Sequence, residues 1–263
     1  MMGRLGGIIL ILILLMWCCD TRKTVVEFNL VGASGDKPEL TVSGVEREIE
    51  VNEAGYAKVL LDQGEHGYGT LKYGKDRIPL FIEEGNSLNI FIYGDNARGN
   101  IRFEGNGAPK NRYLNSQIMK NLSFDYELEG NEFLEQLKGQ IQERVHYLDT
   151  MGFDAAFTEM ERNRIKYSTY RALENYPLYH AWSTGNKEYQ PDTAYLLCIK
   201  NLIKEDEKLL VLKEYQEGMA SLVSLISTYH LQEFDAYKQL MAQLDYVTNH
   251  LTNRTLIEFL IDR

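Results

Sequence analysis

Residues 77–93, RIPLFIEEGNSLNIFIY, consist of two short apolar runs separated by a turn sequence. The runs 77–82 and 87–93 are rich in β-branched and aromatic residues, as strands are. The Glu-Gly-Asn sequence at 84–86 is typical of a turn. This stretch therefore predicts two strands. Pro79 cannot donate to a sheet ladder, so its strand is expected at a sheet edge or at a bulge.

The same alternation of short runs and turn residues extends over residues 24–104. The other strand-like runs are 24–30, 48–51, 70–73 and 100–104. Roughly six to eight strands at spacings of about ten residues predict an antiparallel β sandwich or a partly open barrel.

From residue 108 onward the apolar residues recur at helical spacing. One such stripe comprises Leu134, Leu137, Ile141, Val145 and Leu148. Asp154 is predicted to cap a long helix that runs towards Trp182 and is kinked or broken near Pro177. A further helix is expected to start at 191–193, and Asn253 is a candidate cap for the last one. Two more helices are indicated by the series Leu209, Leu212, Met219, Val223, Ile226 and Phe234, Tyr237, Met241, Leu244, Val247, Leu251.

Strands followed by helices predict an α+β chain in two parts. We expect an antiparallel β domain at 20–107 and an all-helical domain at 108–263, after a signal peptide at 1–19. The weak glycine cluster at 105–107 is interpreted as the hinge between them. The apolar C-terminal segment 256–261 is interpreted either as a helix docked on its own domain or as one that packs against another element.

The N-terminus has the pattern of a bacterial lipoprotein signal. Arg4 precedes an apolar run of about 13 residues, whereas a bilayer-spanning helix needs about 20. The run ends at two cysteines, of which Cys19 is the preferred site of lipid attachment and Cys18 the alternative. An ordinary secretory signal is the competing interpretation. Lipidation would anchor the mature chain to a membrane.

Charge and export together limit where the protein acts and what it binds. The formal net charge is −10, which argues against nucleic acid as a partner because phosphate binding draws on clustered Lys and Arg. The sequence after the cysteines, Thr21-Arg22-Lys23, contains no acidic export cluster. We therefore expect a lipid-anchored protein in the cell envelope of a Gram-negative bacterium, facing the periplasm.

An aromatic-rich segment at 167–195 contains the candidate ligand-binding residues Tyr176, Tyr179 and Trp182. Their three-residue spacing suggests a shared helical face whose rings could stack on sugars or a peptide. The alternative is a half-buried core stripe with its polar tips in solvent. His180 would be a structural histidine under that alternative.

No catalytic residue, metal site or cofactor is predicted from the residues. The five histidines are scattered and form no His-Glu-x-x-His run. The carboxylate groups at 83–84 and 205–207 fit a turn and a solvated helix face. Cys198 lies in an apolar stretch and is interpreted as a buried, inert thiol.

Two segments resemble the N-terminal region of lipoprotein thiol–disulfide oxidoreductases of the TlpA/ResA type. Residues 78–90, IPLFIEEGNSLNI, resemble a strand and turn of the pattern x-E-x-G-D-S-L-x-I. Residues 103–114, FEGNGAPKNRYL, resemble the later pattern F-x-G-x-G-A-x-x-N-x-Y-L. In that family a small β domain and a helical region precede a thioredoxin domain with Cys-x-x-Cys, and the N-terminus is lipid-modified.

The departure from the family concerns its chemistry. The family's redox cycle needs a reactive thiolate and a resolving thiol, and this sequence has no Cys-x-x-Cys. The resemblance therefore implies a non-catalytic N-terminal module, truncated or stand-alone, that binds or scaffolds. Its partner would be another protein or a missing thioredoxin domain. The alternative is an envelope lipoprotein that binds a glycan or peptide through the aromatic helical face.

Overall fold

The computed structural model describes residues 23–32, 37–231 and 235–262. The predicted signal peptide with Cys18 and Cys19, and also Phe234, lie outside the described residues. The chain divides after Lys120 into two compact units, here called the β unit and the helical unit. This division falls later than the predicted boundary at residue 107, because two short helices that follow the last strand belong to the β unit.

Eight strands are present in the described part of the β unit. They are β1 (Thr24–Val31), β2 (Glu39–Val42), β3 (Val45–Glu48), β4 (Tyr56–Leu61), β5 (Gly67–Tyr73), β6 (Asp76–Ile82), β7 (Ser87–Tyr93) and β8 (Ile101–Glu104). They form two four-stranded sheets, in the orders β4-β1-β7-β8 and β3-β2-β5-β6. The sheets are not closed into a barrel. The predicted α+β fold with a sandwich-type β part is confirmed.

The two apolar runs at 77–93 belong to different sheets, since β6 lies in one and β7 in the other. The turn between them thus crosses from sheet to sheet. Among the described strand pairs, β1 and β7 run parallel, whereas the sequence predicted antiparallel pairing throughout. A sandwich accommodates this pair because the chain makes several passes through the other sheet between β1 and β7.

Strand β6 is the edge of its sheet, as the proline predicted. The predicted strand at 48–51 is displaced, because the chain pairs instead as Val45–Glu48. Its side chains are mostly exposed, so no apolar alternation marks this edge strand in the sequence. Strands β2 and β4 were not predicted.

Alternate residues of the strands point into one shared core. In β1, for example, Val26, Phe28 and Leu30 are buried and the residues between them are not. The core draws on both sheets and includes Leu40, Leu71, Leu80, Ile90, Ile92 and Phe103. Burial of these apolar side chains is the main favourable term in the stability of the β unit.

Two helices complete the β unit and seven lie in the described part of the helical unit. The first two are α1 (Ala108–Leu114) and α2 (Gln117–Lys120). The others are α3 (Gly130–Thr150), α4 (Ala155–Ser168), α5 (Tyr170–Thr184), α6 (Thr193–Leu202), α7 (Lys213–Thr228), α8 (Ala236–His250) and α9 (Arg254–Ile261), with a 3₁₀ turn at Glu207–Val211. Helix α7 is central, since it contacts α4, α5, α6 and α8.

Three predicted helix starts are confirmed by capping hydrogen bonds. The side chain of Asp154 accepts from Phe157 N at 2.9 Å. Asp192 accepts from Tyr195 N at 2.7 Å, and Asn253 caps α9 in the same way. Such caps satisfy backbone donors that the first helical turn leaves free.

The predicted long helix from 155 to Trp182 breaks at Thr169 and not near Pro177. The hydroxyl of Ser168 donates to Ile165 O at 2.7 Å, and that of Thr169 donates to Lys166 O at 2.8 Å. Two consecutive hydroxyls thus compete with the backbone for helix carbonyls, which favours a break at this point. Pro177 lies inside the continuous helix α5.

The open edge of β6 is closed by side-chain amides from α1. Asn111 is fully buried; its Oδ1 accepts from Phe81 N at 2.9 Å and its Nδ2 donates to Phe81 O at 2.8 Å. Asn115 Nδ2 donates to Pro79 O at 2.9 Å. The backbone groups of residues 79 and 81 point to the same, open side of the strand. Pro79 has no N–H there, so only its carbonyl needs a partner. The outward backbone groups at both residues are therefore paired.

Replacing Asn111 by Ala tests whether the β unit depends on closure of the β6 edge. Phe81 N and O would lose their partners inside a packed region, so the free energy of unfolding should fall by about 2 kcal/mol or more. Urea unfolding followed by circular dichroism measures the change. The matched control is Asn163→Ala, which removes a half-exposed amide bonded only to Glu159 O. Equal stability of the two variants would contradict the edge-closing role.

Candidate functional site

The three predicted site residues all lie on α5, but they do not share an environment. Tyr176 is fully buried, Tyr179 is 44% exposed and Trp182 is 82% exposed. Three-residue steps fall short of a 3.6-residue turn, so each step rotates the side chain by about 60° around the helix axis. The expectation of one shared ligand-binding face is therefore wrong for Tyr176.

Tyr176 belongs to an aromatic core of the helical unit. Its hydroxyl donates to Leu128 O at 2.8 Å. Its ring centroid lies 4.4 Å from that of Phe133 and 5.1 Å from that of Tyr195. Burial raises the pKa of the Tyr176 hydroxyl above its ordinary value, with a smaller contribution from its contact with Tyr189. This residue is a neutral structural group at physiological pH.

His180 has the structural role that the sequence offered as the alternative. The side chain is buried, and its Nδ1 lies 2.9 Å from Tyr126 O. A carbonyl oxygen can only accept, so Nδ1 carries the hydrogen. The imidazole ring packs against Tyr189 with centroids 4.3 Å apart.

Pro177 is tolerated inside α5 because a tyrosine replaces the hydrogen bond that the proline removes. A proline at position 177 leaves the carbonyl of residue 173 without its helical donor. The buried hydroxyl of Tyr195, from α6, donates to Leu173 O at 3.0 Å. This contact joins α6 to α5 and removes the reason for a break at the proline.

The exposed end of α5 forms a small apolar surface, here called the α5 patch. Leu178 is 70% exposed and stands four residues before Trp182, on the same side of the helix. Tyr179 adjoins them and contacts the ring of Tyr126 at 5.0 Å. The α5 patch retains two of the three predicted ligand-binding residues.

A larger exposed apolar surface lies on α8. The α8 face consists of Tyr237, Leu240, Met241 and Leu244, which are all exposed. Only Val247 is buried among the side chains of this helix that the structure describes. From Tyr237, Met241 and Leu244 the sequence predicted a helix and no more, because helical periodicity shows which residues share a face and not what covers them.

Two clefts flank α8. One, of about 320 Å³, lies between α8, α7 and the end of α9, and is lined by Leu240, Leu244 and Leu260. The other, of about 890 Å³, lies between α8, α6 and the end of α7, and is lined by Leu197, Ile226 and Met241. The helix is thus bordered on both sides by open grooves with mixed polar and apolar lining. Surfaces of this kind mark binding sites in soluble domains.

The C-terminal helix α9 docks on its own unit. It contacts α8 and the 3₁₀ turn, and Leu256 is fully buried. Ile261 at its end remains 48% exposed. The predicted docking of this segment on its own domain therefore holds for the first turn of α9. Ile261, at the end of α9, instead lines the cleft beside α8.

Cys198 is a free, half-buried thiol on α6. Burial raises the pKa of this thiol, and the negative charge of Glu135 acts in the same direction. A raised pKa leaves less thiolate, which is the nucleophilic form. The environment therefore suppresses the reactivity of Cys198.

Comparisons with known proteins supply no assignment: no protein family, no curated protein and no solved structure matches this chain. In the described residues, no helix has both the length and the apolar character that a bilayer crossing requires. No group of three or more potential metal ligands is found within the same residues. The resemblance to TlpA/ResA-type proteins stays a prediction.

The role of Tyr195 can be tested by a double-mutant cycle. Tyr195→Phe should lower the free energy of unfolding by about 1 kcal/mol, because Leu173 O loses its donor. In a Pro177→Ala background the backbone supplies that donor, and the cost of Tyr195→Phe should shrink to about half or less. Urea unfolding of the four proteins gives the coupling. The exposed Tyr237→Phe is the matched control, and an unchanged cost of Tyr195→Phe in both backgrounds would contradict this role.

The raised pKa of Cys198 predicts slow alkylation. Because burial raises the pKa of Cys198, a smaller fraction of this thiol is ionised in the folded chain than in the unfolded chain at the same pH. In the folded chain at pH 8, iodoacetamide should therefore modify Cys198 about tenfold or more slowly than in urea. Peptide mapping by mass spectrometry isolates this thiol from Cys18 and Cys19. Equal rates in folded and unfolded chain would show that the thiol is unperturbed.

Proposed function

We propose that this chain is a non-catalytic binding and scaffolding module of an exported thioredoxin-family thiol–disulfide system. The observation that carries the proposal is the α8 face, an exposed apolar surface bordered by two clefts. The partner is a protein with the thioredoxin fold, which supplies the dithiol that this sequence lacks.

The location of the resemblance supports a scaffolding role. Its residues build the joint between β6, β7 and α1. Asn111 pairs with Phe81 within this joint, and Lys110 Nζ lies 2.6 Å from Glu83 Oε1. Gly105 has a φ of +88°, and a Cβ there would lie 2.6 Å from Ser87 O. The residues that resemble that family therefore serve packing in this chain. If the resemblance holds, it implies a similar fold and not a shared catalytic site.

The cysteine content of the chain also supports a non-catalytic role. A disulfide-exchange cycle requires an attacking thiolate and a second, resolving thiol. Cys198 is the single cysteine in the described residues, and its pKa is raised. Redox chemistry in the system would therefore take place on the partner.

Photocrosslinking tests the proposed partner class. A photoreactive benzoylphenylalanine in place of Leu240 on the α8 face should crosslink, in the native envelope, to a protein that contains a Cys-x-x-Cys motif. The same group in place of Lys213, whose side chain is 80% exposed, is the matched control and should not. Mass spectrometry identifies the product. A crosslink to another class of protein, or none, would refute the partner assignment.

We also propose that the protein is lipid-anchored through Cys19, with Cys18 as the alternative, and faces the periplasm. The support is the sequence pattern of residues 1–19. Cells grown with radiolabelled palmitate should incorporate label into the wild-type protein and into Cys18→Ser, but not into Cys19→Ser. Label in Cys19→Ser but not in Cys18→Ser would assign the lipid to Cys18. Absence of label from the wild-type protein would exclude lipidation.

A second candidate function is binding of a glycan or peptide through the α5 patch, favoured by the 82% exposure of the Trp182 ring. Flat exposed rings stack on sugars and peptides. The other tryptophan of the chain is Trp17 in the predicted signal, so Trp182 reports alone after processing. A soluble peptidoglycan fragment should change its fluorescence, less so in Tyr179→Ala. No change at about 10 mM ligand would reject this function.

A further inference from the structure

Four cationic side chains converge on one pocket at an end of the β unit. The pocket has a volume of about 310 Å³ and is lined by Lys75, Arg77, Arg98 and Lys120, together with Asp76 and Asn115. These residues come from the β5–β6 turn and the start of β6, the β7–β8 connection, the residue that follows α1, and α2. The clustering is notable in a chain with a formal net charge of −10.

The four cations have no acidic partner of their own within the described residues, where none of them forms an ion pair. Asp76 faces the pocket, but its Oδ2 already accepts from Arg98 N at 2.9 Å. Glu39 lies within electrostatic range of Arg77, yet its carboxylate is paired with Lys72 at 2.7 Å. Four positive charges against one carboxylate leave a net charge of about +3 in the pocket at neutral pH.

Lys120 lies within electrostatic range of Arg98 and Asp76. Burial lowers the pKa of Lys120, the nearby Arg98 charge lowers it further, and Asp76 partly offsets the effect. Cations held together in this way repel each other, and a bound anion would relieve that repulsion.

Asn115 forms part of the wall of the same pocket. Asn115 uses its Nδ2 on Pro79 O and Asn111 O. Its Oδ1 is buried and has no hydrogen-bond partner among the described residues. Buried acceptors are normally satisfied, but this atom has almost no accessible surface, so it is not a contact for a ligand in the pocket.

We propose that this pocket binds a phosphate or diphosphate group, free or as an ester. Guanidinium forks match phosphate oxygens, and lysine ammonium groups add point charges. A phosphate group carries the negative charge that these cations require.

The position of the pocket bears on the source of the phosphate. Gly94 N donates to Val31 O at 2.8 Å, so the β7–β8 connection that carries Arg98 lies at the C-terminal end of β1. Thr24, where β1 begins, instead contacts the β6–β7 turn through Gly85 N. The pocket and the start of β1 are thus at opposite ends of the sandwich, which favours a soluble phosphate over the headgroup of a bilayer adjoining the N-terminus.

Calorimetric titration of the full chain with inorganic pyrophosphate tests the site. We expect saturable binding with a dissociation constant below about 1 mM. Affinity should fall about tenfold or more in Arg77→Gln/Arg98→Gln. The control Lys213→Gln/Arg254→Gln removes the same charge from exposed residues of the helical unit and should bind as the wild type does.

Two outcomes would overturn the proposal: no saturable binding at about 10 mM pyrophosphate, or equal affinity in the wild type and Arg77→Gln/Arg98→Gln. Should that variant fail to fold, Lys75→Gln/Lys120→Gln carries the same expectation. Water-soluble dihexanoyl phosphatidic acid, compared with dihexanoyl phosphatidylcholine, separates the sources. Preferential binding of the phosphatidic acid over pyrophosphate assigns the phosphate to a lipid headgroup, and the converse assigns it to a soluble compound.

Discussion

The unpaired edge of β6 is the constraint on which the β unit depends. An edge strand leaves backbone groups open, and these must be covered, paired or hydrated. In this chain a proline removes one donor, and amides from α1 take the remaining groups at Pro79 and Phe81. The helix must therefore pack on the sandwich, which is why the β unit extends to Lys120. The same packing brings Asn115 and Lys120 to the cationic pocket.

The sequence predicted the order of elements well, because local patterns encode them. Apolar alternation located β1, β6 and β7, and side-chain caps located the starts of three helices. Prediction from the sequence failed where residues distant in the chain determine strand pairing or helix continuity. The parallel pairing of β1 with β7 depends on contacts far apart in the chain. Helix α5 stays intact at Pro177 only because Tyr195 arrives from α6.

Prediction of the candidate sites had the same limit, because local spacing does not encode which side chains are buried. The aromatic segment was recognised, but the rotation of α5 separates buried Tyr176 from exposed Trp182. The sequence predicts helix α8 but not that its apolar face is exposed, since a stripe has the same spacing whether it is covered or open. The cationic pocket has little local signature, because its four cations come from three separate segments, residues 75–77, Arg98 and Lys120, that only folding brings together.

We propose that this chain contributes binding surfaces, that a partner contributes the redox chemistry, and that the chain does not itself catalyse disulfide exchange. An insulin-reduction assay on the purified full chain, with dithiothreitol as the electron donor and Cys198→Ser for comparison, tests this proposal. We expect both proteins to leave the uncatalysed rate unchanged. Multiple turnovers by the wild type that disappear in Cys198→Ser would contradict it.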